Sequence, residues 1–154
     1  MKGIQNILCA CIGNKDRSPI VAAFLAQMLK NQGCDMSTIT IESAGVSQTA
    51  KAGAPAPELA VNSAKTFGLN TSNHRQRYAG NLDMAKYDLA IAADFTAQLG
   101  LVELGFKGEI ICLNLEGKDN AWMSQNQRKV DDMVVSIMTA VAREVMQYKF
   151  ANLN

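Results

Sequence analysis

Cys11 and Arg17 bracket five residues in the run Cys11-Ile12-Gly13-Asn14-Lys15-Asp16-Arg17-Ser18-Pro19. These residue types suit the capture of an oxyanion and nucleophilic attack on it. A tight loop feeding a helix aims backbone N–H groups into one concavity, and the helix amino terminus adds positive potential. Gly13 and Asn14 tolerate the left-handed backbone that such a loop requires. A cysteine beside Arg17 at this place is expected to give up its proton more readily than a free thiol and to act as a nucleophile near neutral pH. Arg17 adds a planar fork that can hold two phosphate oxygens, and Ser18 is placed to donate to the thiolate. A cysteine and an arginine at this spacing also arise by chance, as a buried strand-end cysteine and a solvated helix-start arginine, so the elements around them carry the argument.

The chain has 154 residues, 48% of them hydrophobic and 19% charged, with a formal net charge of +1. A chain this long buries roughly 68–70% of its unfolded surface and needs no metal or disulfide framework to hold a core. The balanced charge argues against a general nucleic-acid or polybasic membrane binder. No run approaches the ~18 apolar residues of a membrane span, and the amino terminus lacks a signal-peptide pattern, so a cytoplasmic protein is expected. Cysteines 9, 11, 34 and 112 show neither C-x-x-C spacing nor the density of a disulfide scaffold. Cys9 and Cys11, two apart in a strand, lie about 6.6 Å apart, at the long edge of disulfide geometry.

Ile4 to Cys11 reads as a strand buried on both faces. Ser18 as N-cap and Pro19 at the first helical position open a helix that runs to Gly33. Thr38–Glu42 is the second strand, ended by Ser43-Ala44-Gly45, and a second helix spans Glu58 to Phe67. Tyr87–Ala93 and Glu109–Leu115 are the third and fourth strands, with Asp94 capping a short helix between them and bracing the loop. Ser124 to Gln127 has the form of a capping box, followed by one apolar face from Val130 through Ile137 to Tyr148. Strands alternating with helices predict a single-domain α/β three-layer sandwich over 1–154, a parallel sheet of about four strands with helices on both faces. In such a sheet the active site lies outside the carboxyl ends of the strands, where the Cys11 loop falls.

The Cys11–Pro19 segment resembles the C-x5-R-S-P signature of low-molecular-weight protein tyrosine phosphatases. Three further blocks resemble the same family in the same order: Glu42-Ser43-Ala44-Gly45, Gly68-Leu69-Asn70-Thr71-Ser72-Asn73-His74-Arg75, and Tyr87 to Asp94. The resemblance implies a phosphocysteine mechanism. Cys11 attacks phosphorus, Arg17 and the loop Ile12, Gly13, Asn14, Lys15, Asp16 and Ser18 hold the oxygens, and Asn14 and Ser43 brace the loop. It implies no metal and no cofactor, and phosphotyrosine proteins or small aryl phosphates as substrates, with inorganic phosphate or other oxyanions as loop ligands.

The chain departs from the family pattern in three places. It has no Asp-Pro dipeptide, where the family keeps its general acid. Asp119, with Trp122 close behind, is the choice for that role and Glu116 the rival. Lys15 and Asp16 stand where the family usually has an apolar residue and a second cysteine, and Thr49 where it has an aromatic wall. Asp16 then opposes phosphate binding unless paired. Trp122 either lines the pocket or packs the last helix. His74, Arg75 and Arg77 form either a basic rim or, for His74, a structural hydrogen bond. Two other functions fit parts of the pattern: a phosphopeptide-binding module without turnover, and an arsenate reductase, which would need a relay of cysteines that lone Cys112 does not supply.

Overall fold

In a computed structural model of the chain, which describes residues 3–117, 121–148 and 150, four parallel strands form one sheet in the order β2-β1-β3-β4. The strands are β1 (Asn6–Cys11), β2 (Thr40–Gly45), β3 (Leu89–Ala92) and β4 (Glu109–Cys112). Between and after them run α1 (Arg17–Asn31), α2 (Glu58–Thr66), α3 (Phe95–Glu103) and α4 (Gln127–Glu144), with two 3-10 turns, Ala79–Asn81 and Met84–Lys86, ahead of β3. The expected α/β class, strand number and parallel pairing are what form.

β1 is central and buried on both faces, and its alternation divides the core. Ile7 and Cys9, with Leu89 and Ile91, pack under Ile20, Leu25, Ala64, Val134 and Ile137 of α1, α2 and α4. Leu8 and Ala10, with Ala44, Ala90 and Ala92, face Ala97 and Leu101 of α3. Because β1 pairs with β2 on one side and β3 on the other, the chain leaves it in opposite directions, and the loop after Cys11 lies at the switch point.

Several boundaries differ from expectation. Ser43-Ala44-Gly45 does not end β2 but forms its last three residues, because the β1 ladder extends to Cys11 and pairs with them. Ser18 is not the cap of α1. Asp16 is, with Oδ1 accepting from Arg17 N at 2.8 Å, which leaves the Ser18 hydroxyl for the cysteine. Pro19 therefore sits third in the helix, still among the residues whose N–H has no intrahelical partner, where a proline ring removes nothing. β3 and β4 are shorter than the apolar runs that predicted them. Asn126, not Ser124, caps α4, accepting from Arg128 N at 3.1 Å and Lys129 N at 3.3 Å. Gln127 does not complete a capping box, since its amide donates to Leu59 O at 2.9 Å on α2. The buried face of α4 is Val130, Met133, Val134, Ile137, Ala140 and Val141, and Tyr148 lies beyond the helix end.

Candidate active site

Asn14 holds the loop between β1 and α1 in shape. It is fully buried and left-handed, with φ of 55°, a conformation that asparagine tolerates better than other non-glycine residues. Its backbone N–H donates to Cys11 Sγ at 3.2 Å, and its Nδ2 donates to Ser18 Oγ at 2.8 Å and Ser43 Oγ at 3.0 Å. Its Oδ1 accepts from Arg77 N at 2.9 Å. His74 Nε2 lies 2.7 Å from the Asn14 carbonyl, and since a carbonyl only accepts, that nitrogen carries the proton. Of the two readings of His74, the structural hydrogen bond is therefore present.

Cys11 Sγ lies 3.1 Å from Ser18 Oγ, with both side chains buried. Gly45 is the neighbour that lets the loop close over the end of β2. A Cβ there would meet Ile12 O at 2.8 Å, Gly13 C at 2.9 Å and Asn14 N at 3.0 Å.

Arg17 is 1% exposed and is fixed from the segments that follow β3 and β4. Its guanidinium donates to Asp94 Oδ2 at 2.8 Å and to the Leu115 carbonyl at 3.4 Å. Asp94 Oδ1 accepts from Ala97 N at 2.8 Å, so one carboxylate caps α3 and orients Arg17. The Nε of Arg17 is buried without a hydrogen-bond partner among the described residues.

Burial pushes the Cys11 thiol above its ordinary value. Arg17 and the Ser18 hydroxyl pull it back, while Asp16 adds to the rise. The expected lowering is therefore not met: desolvation of a fully buried sulfur outweighs its cationic neighbour. Burial also works against the charge on Arg17, but Cys11, Asp94 and Asp16 more than compensate and hold it above the usual arginine value. His74 is pushed down, first by burial and then by Arg77 and Arg75, with its bond to Asn14 opposing.

The structure thus brings Cys11, the loop Ile12 to Asp16, Arg17, Ser18 and Ser43 to one place. Asp119 lies outside the described residues, as does the side chain of Trp122. Glu116 is exposed, and its Oε1 accepts from Phe95 N at 3.1 Å, at the first turn of α3. Sequence reasoning missed the cluster behind the loop. Arg77 Nε donates to Ser43 O at 2.8 Å, and Glu42 accepts from Arg77 at 3.0 Å, Tyr87 Oη at 2.6 Å and Lys86 Nζ at 3.2 Å. Burial would raise the Glu42 carboxyl, but these donors win and lower it. An acid inside a strand was the available signal.

The sequence profile of the low molecular weight phosphotyrosine protein phosphatases matches residues 6–132. The chain belongs to that family. This phosphatase is accordingly a cysteine-dependent hydrolase, and solved structures share its fold. Wzb of Vibrio vulnificus, solved with benzylphosphonate, is 21% identical with a TM-score of 0.73, covering 91% of this chain and 96% of its own. The tyrosine phosphatase AmsI of Erwinia amylovora is 19% identical with a TM-score of 0.76, covering 94% and 93%. Wzb of Escherichia coli K30, solved with sulphate, is 22% identical with a TM-score of 0.73, covering 91% and 95%. No curated protein matches the chain significantly. Among the described residues of the phosphatase, no helix is long and apolar enough to cross a membrane.

Proposed function

We propose that Cys11 is the nucleophile of a protein-tyrosine phosphatase reaction on phosphotyrosine proteins or small aryl phosphates, with Arg17 and the loop amides as the oxyanion cradle. The observation that carries this reading is the orphaned Arg17 Nε beside a cysteine sulfur already held by Asn14 N–H and Ser18 Oγ. An unpaired buried donor costs about 1–3 kcal/mol, and an oxyanion seated in the loop is a ligand that would satisfy it. In the first step the Cys11 sulfur forms a bond to phosphorus as the bond to the phenolic oxygen breaks. That oxygen leaves with a proton from the general acid. In the second step water gives a proton to the carboxylate that the general acid became, and its oxygen bonds to phosphorus as the sulfur–phosphorus bond breaks. Inorganic phosphate is released, and Cys11 departs as thiolate toward the Ser18 hydroxyl.

Asp119 is the general acid in this reading. Glu116 is a poorer choice because its carboxylate is occupied at the first turn of α3, where a negative charge is favoured by the helix dipole.

The test is hydrolysis of p-nitrophenyl phosphate by wild type, Cys11→Ser, Arg17→Lys and Asp119→Asn across pH, with vanadate as inhibitor. Vanadate-sensitive turnover is expected, abolished by Cys11→Ser and reduced about 10²–10³-fold by Arg17→Lys, the scale of losing an oxyanion donor. Asp119→Asn should lose rate chiefly at the pH values where the wild-type acid holds its proton, and with it the basic limb of the profile. Well-folded wild type without turnover would overturn the reading and leave a phosphopeptide-binding module.

A further inference from the structure

The two segments that border the catalytic loop carry cations and no acidic residue. Residues 46–57 contain Lys51, and residues 71–78 contain His74, Arg75 and Arg77, without one Asp or Glu between them. Both segments are tied to the loop itself. Val46 N donates to Cys11 O at 2.9 Å and Ser47 N to Ile12 O at 3.0 Å, while His74 and Arg77 N hold the carbonyl and side chain of Asn14.

They are also tied to each other through Gln76, which is 5% exposed. Its side chain accepts from Lys51 N at 3.1 Å and donates to Pro55 O at 3.0 Å. Its backbone accepts from Gly53 N at 2.9 Å and donates to Ala54 O at 2.8 Å. Four hydrogen bonds from one buried residue make the rim a fixed surface, so little order is lost when a ligand meets it.

The cations on this rim are not equivalent. Arg77 is absorbed by Glu42. Arg75 is exposed, and its guanidinium folds onto the His74 carbonyl at 2.7 Å, a neutral acceptor that leaves the charge uncompensated. Lys51 is also exposed, and among the described residues neither it nor Arg75 makes an ion pair. Lys15 adds its stem to the mouth, folded over Gly13, where a Cβ would meet its Cε at 3.5 Å. Thr49, exposed on the same segment, supplies no ring for a substrate to stack on.

We infer that this phosphatase recognises phosphotyrosine within acidic sequence, with Lys51 and Arg75 as specificity-determining residues that attract carboxylates flanking the phosphotyrosine. The inference rests on the reading of Cys11 and its loop as the phosphotyrosine site. A chain of nearly zero net charge has no general pull on anions, so this is a local preference set by the rim. Charge complementarity of this kind acts mainly on encounter and is screened over about 8 Å at physiological ionic strength.

The test compares two phosphotyrosine peptides that differ only in Glu against Gln on both sides of the phosphotyrosine. Their dissociation constants are measured on Cys11→Ser protein and their kcat/KM on wild type, at low and high salt. The expected result is about 5–10-fold preference for the acidic peptide at low salt by both measures, the scale of a pair of exposed charges. That preference should shrink in high salt and fall to less than about twofold in Lys51→Ala/Arg75→Ala. Both side chains are exposed, so the double variant should keep the wild-type thermal midpoint. Equal binding of the two peptides, or a preference that survives the double substitution, overturns the inference. Failure of wild type on p-nitrophenyl phosphate instead overturns the catalytic reading, while the binding arm still decides the acidic preference.

Discussion

Asp16 is where this chain's loop is least like a device for making a thiolate. Its carboxylate caps α1 through Arg17 N, and its charge pushes the Cys11 thiol further up. Asp16→Asn keeps an oxygen for the cap and removes the charge, so the Cys11 thiol should move down. Thiolate absorbance near 240 nm, taken as the difference from Cys11→Ser across pH, checks this; an unmoved or raised midpoint would contradict it. His74 makes the opposite kind of statement, about stability. Its folded-state pKa lies below the ordinary value, so the folded protein holds it neutral while the unfolded chain accepts a proton near pH 6.5. Its contribution is complete above that pH and is lost as pH falls through the folded value. Urea midpoints should therefore decline on acidification below about pH 6.5, and His74→Gln, which retains a donor and does not titrate, should flatten that decline.

At the scale of elements, the loop is shaped as much by β2 as by its own residues. Gly45 ends a strand whose other members accept side chains, yet a methyl group there would press on three backbone atoms of the loop. Backbone cannot swing aside as a long side chain does, so Gly45→Ala should cost about 1–3 kcal/mol. It should also lower kcat for p-nitrophenyl phosphate, because the atoms displaced are those that present the loop N–H groups. Thermal unfolding together with steady-state kinetics reads both. An unchanged kcat would mean that the loop absorbs the shift without disturbing the cradle. The same packing logic explains why Ser43-Ala44-Gly45 is strand rather than turn: its small side chains are what allow the loop to lie against it.

The whole molecule enters through Asp94. It sits 77 residues from Arg17 in sequence, at the end of β3, and reaches the guanidinium only because β3 lies beside β1 in the sheet. The ion pair is almost completely buried, with side-chain exposures of 1% and 5%. Removing one member of such a pair leaves an uncompensated charge and costs about 3–5 kcal/mol. Asp94→Ala should approach that loss. Asp94→Asn, which can still cap Ala97 N, should lose less stability while turning over more slowly, as small misplacements of a positioning group cost up to about 10²-fold. Chemical denaturation and kcat for the two variants separate the cap from the orientation of Arg17. Wild-type kcat and stability in Asp94→Asn, with losses only in Asp94→Ala, would assign Asp94 to the cap alone.

The alternation of apolar runs and helical periodicities was enough to predict the parallel sheet. β1 is continuous and apolar because both of its faces are covered, and that covering is itself a local signal. The Cys11–Ser18 spacing was likewise sufficient to find the loop, since its residues are neighbours in the chain. Chain contiguity could not determine which side chain each polar atom meets. Ser18 reads as a cap until the loop turns it toward Cys11, and Ser124 reads as a cap until the backbone places Asn126 there. The Cys11 thiol reads as acidic beside Arg17 until three layers bury it. Partner choice, burial and charge balance depend on segments distant in sequence, and those meet only when the sheet brings β2, β3 and the 74–77 segment around the end of β1.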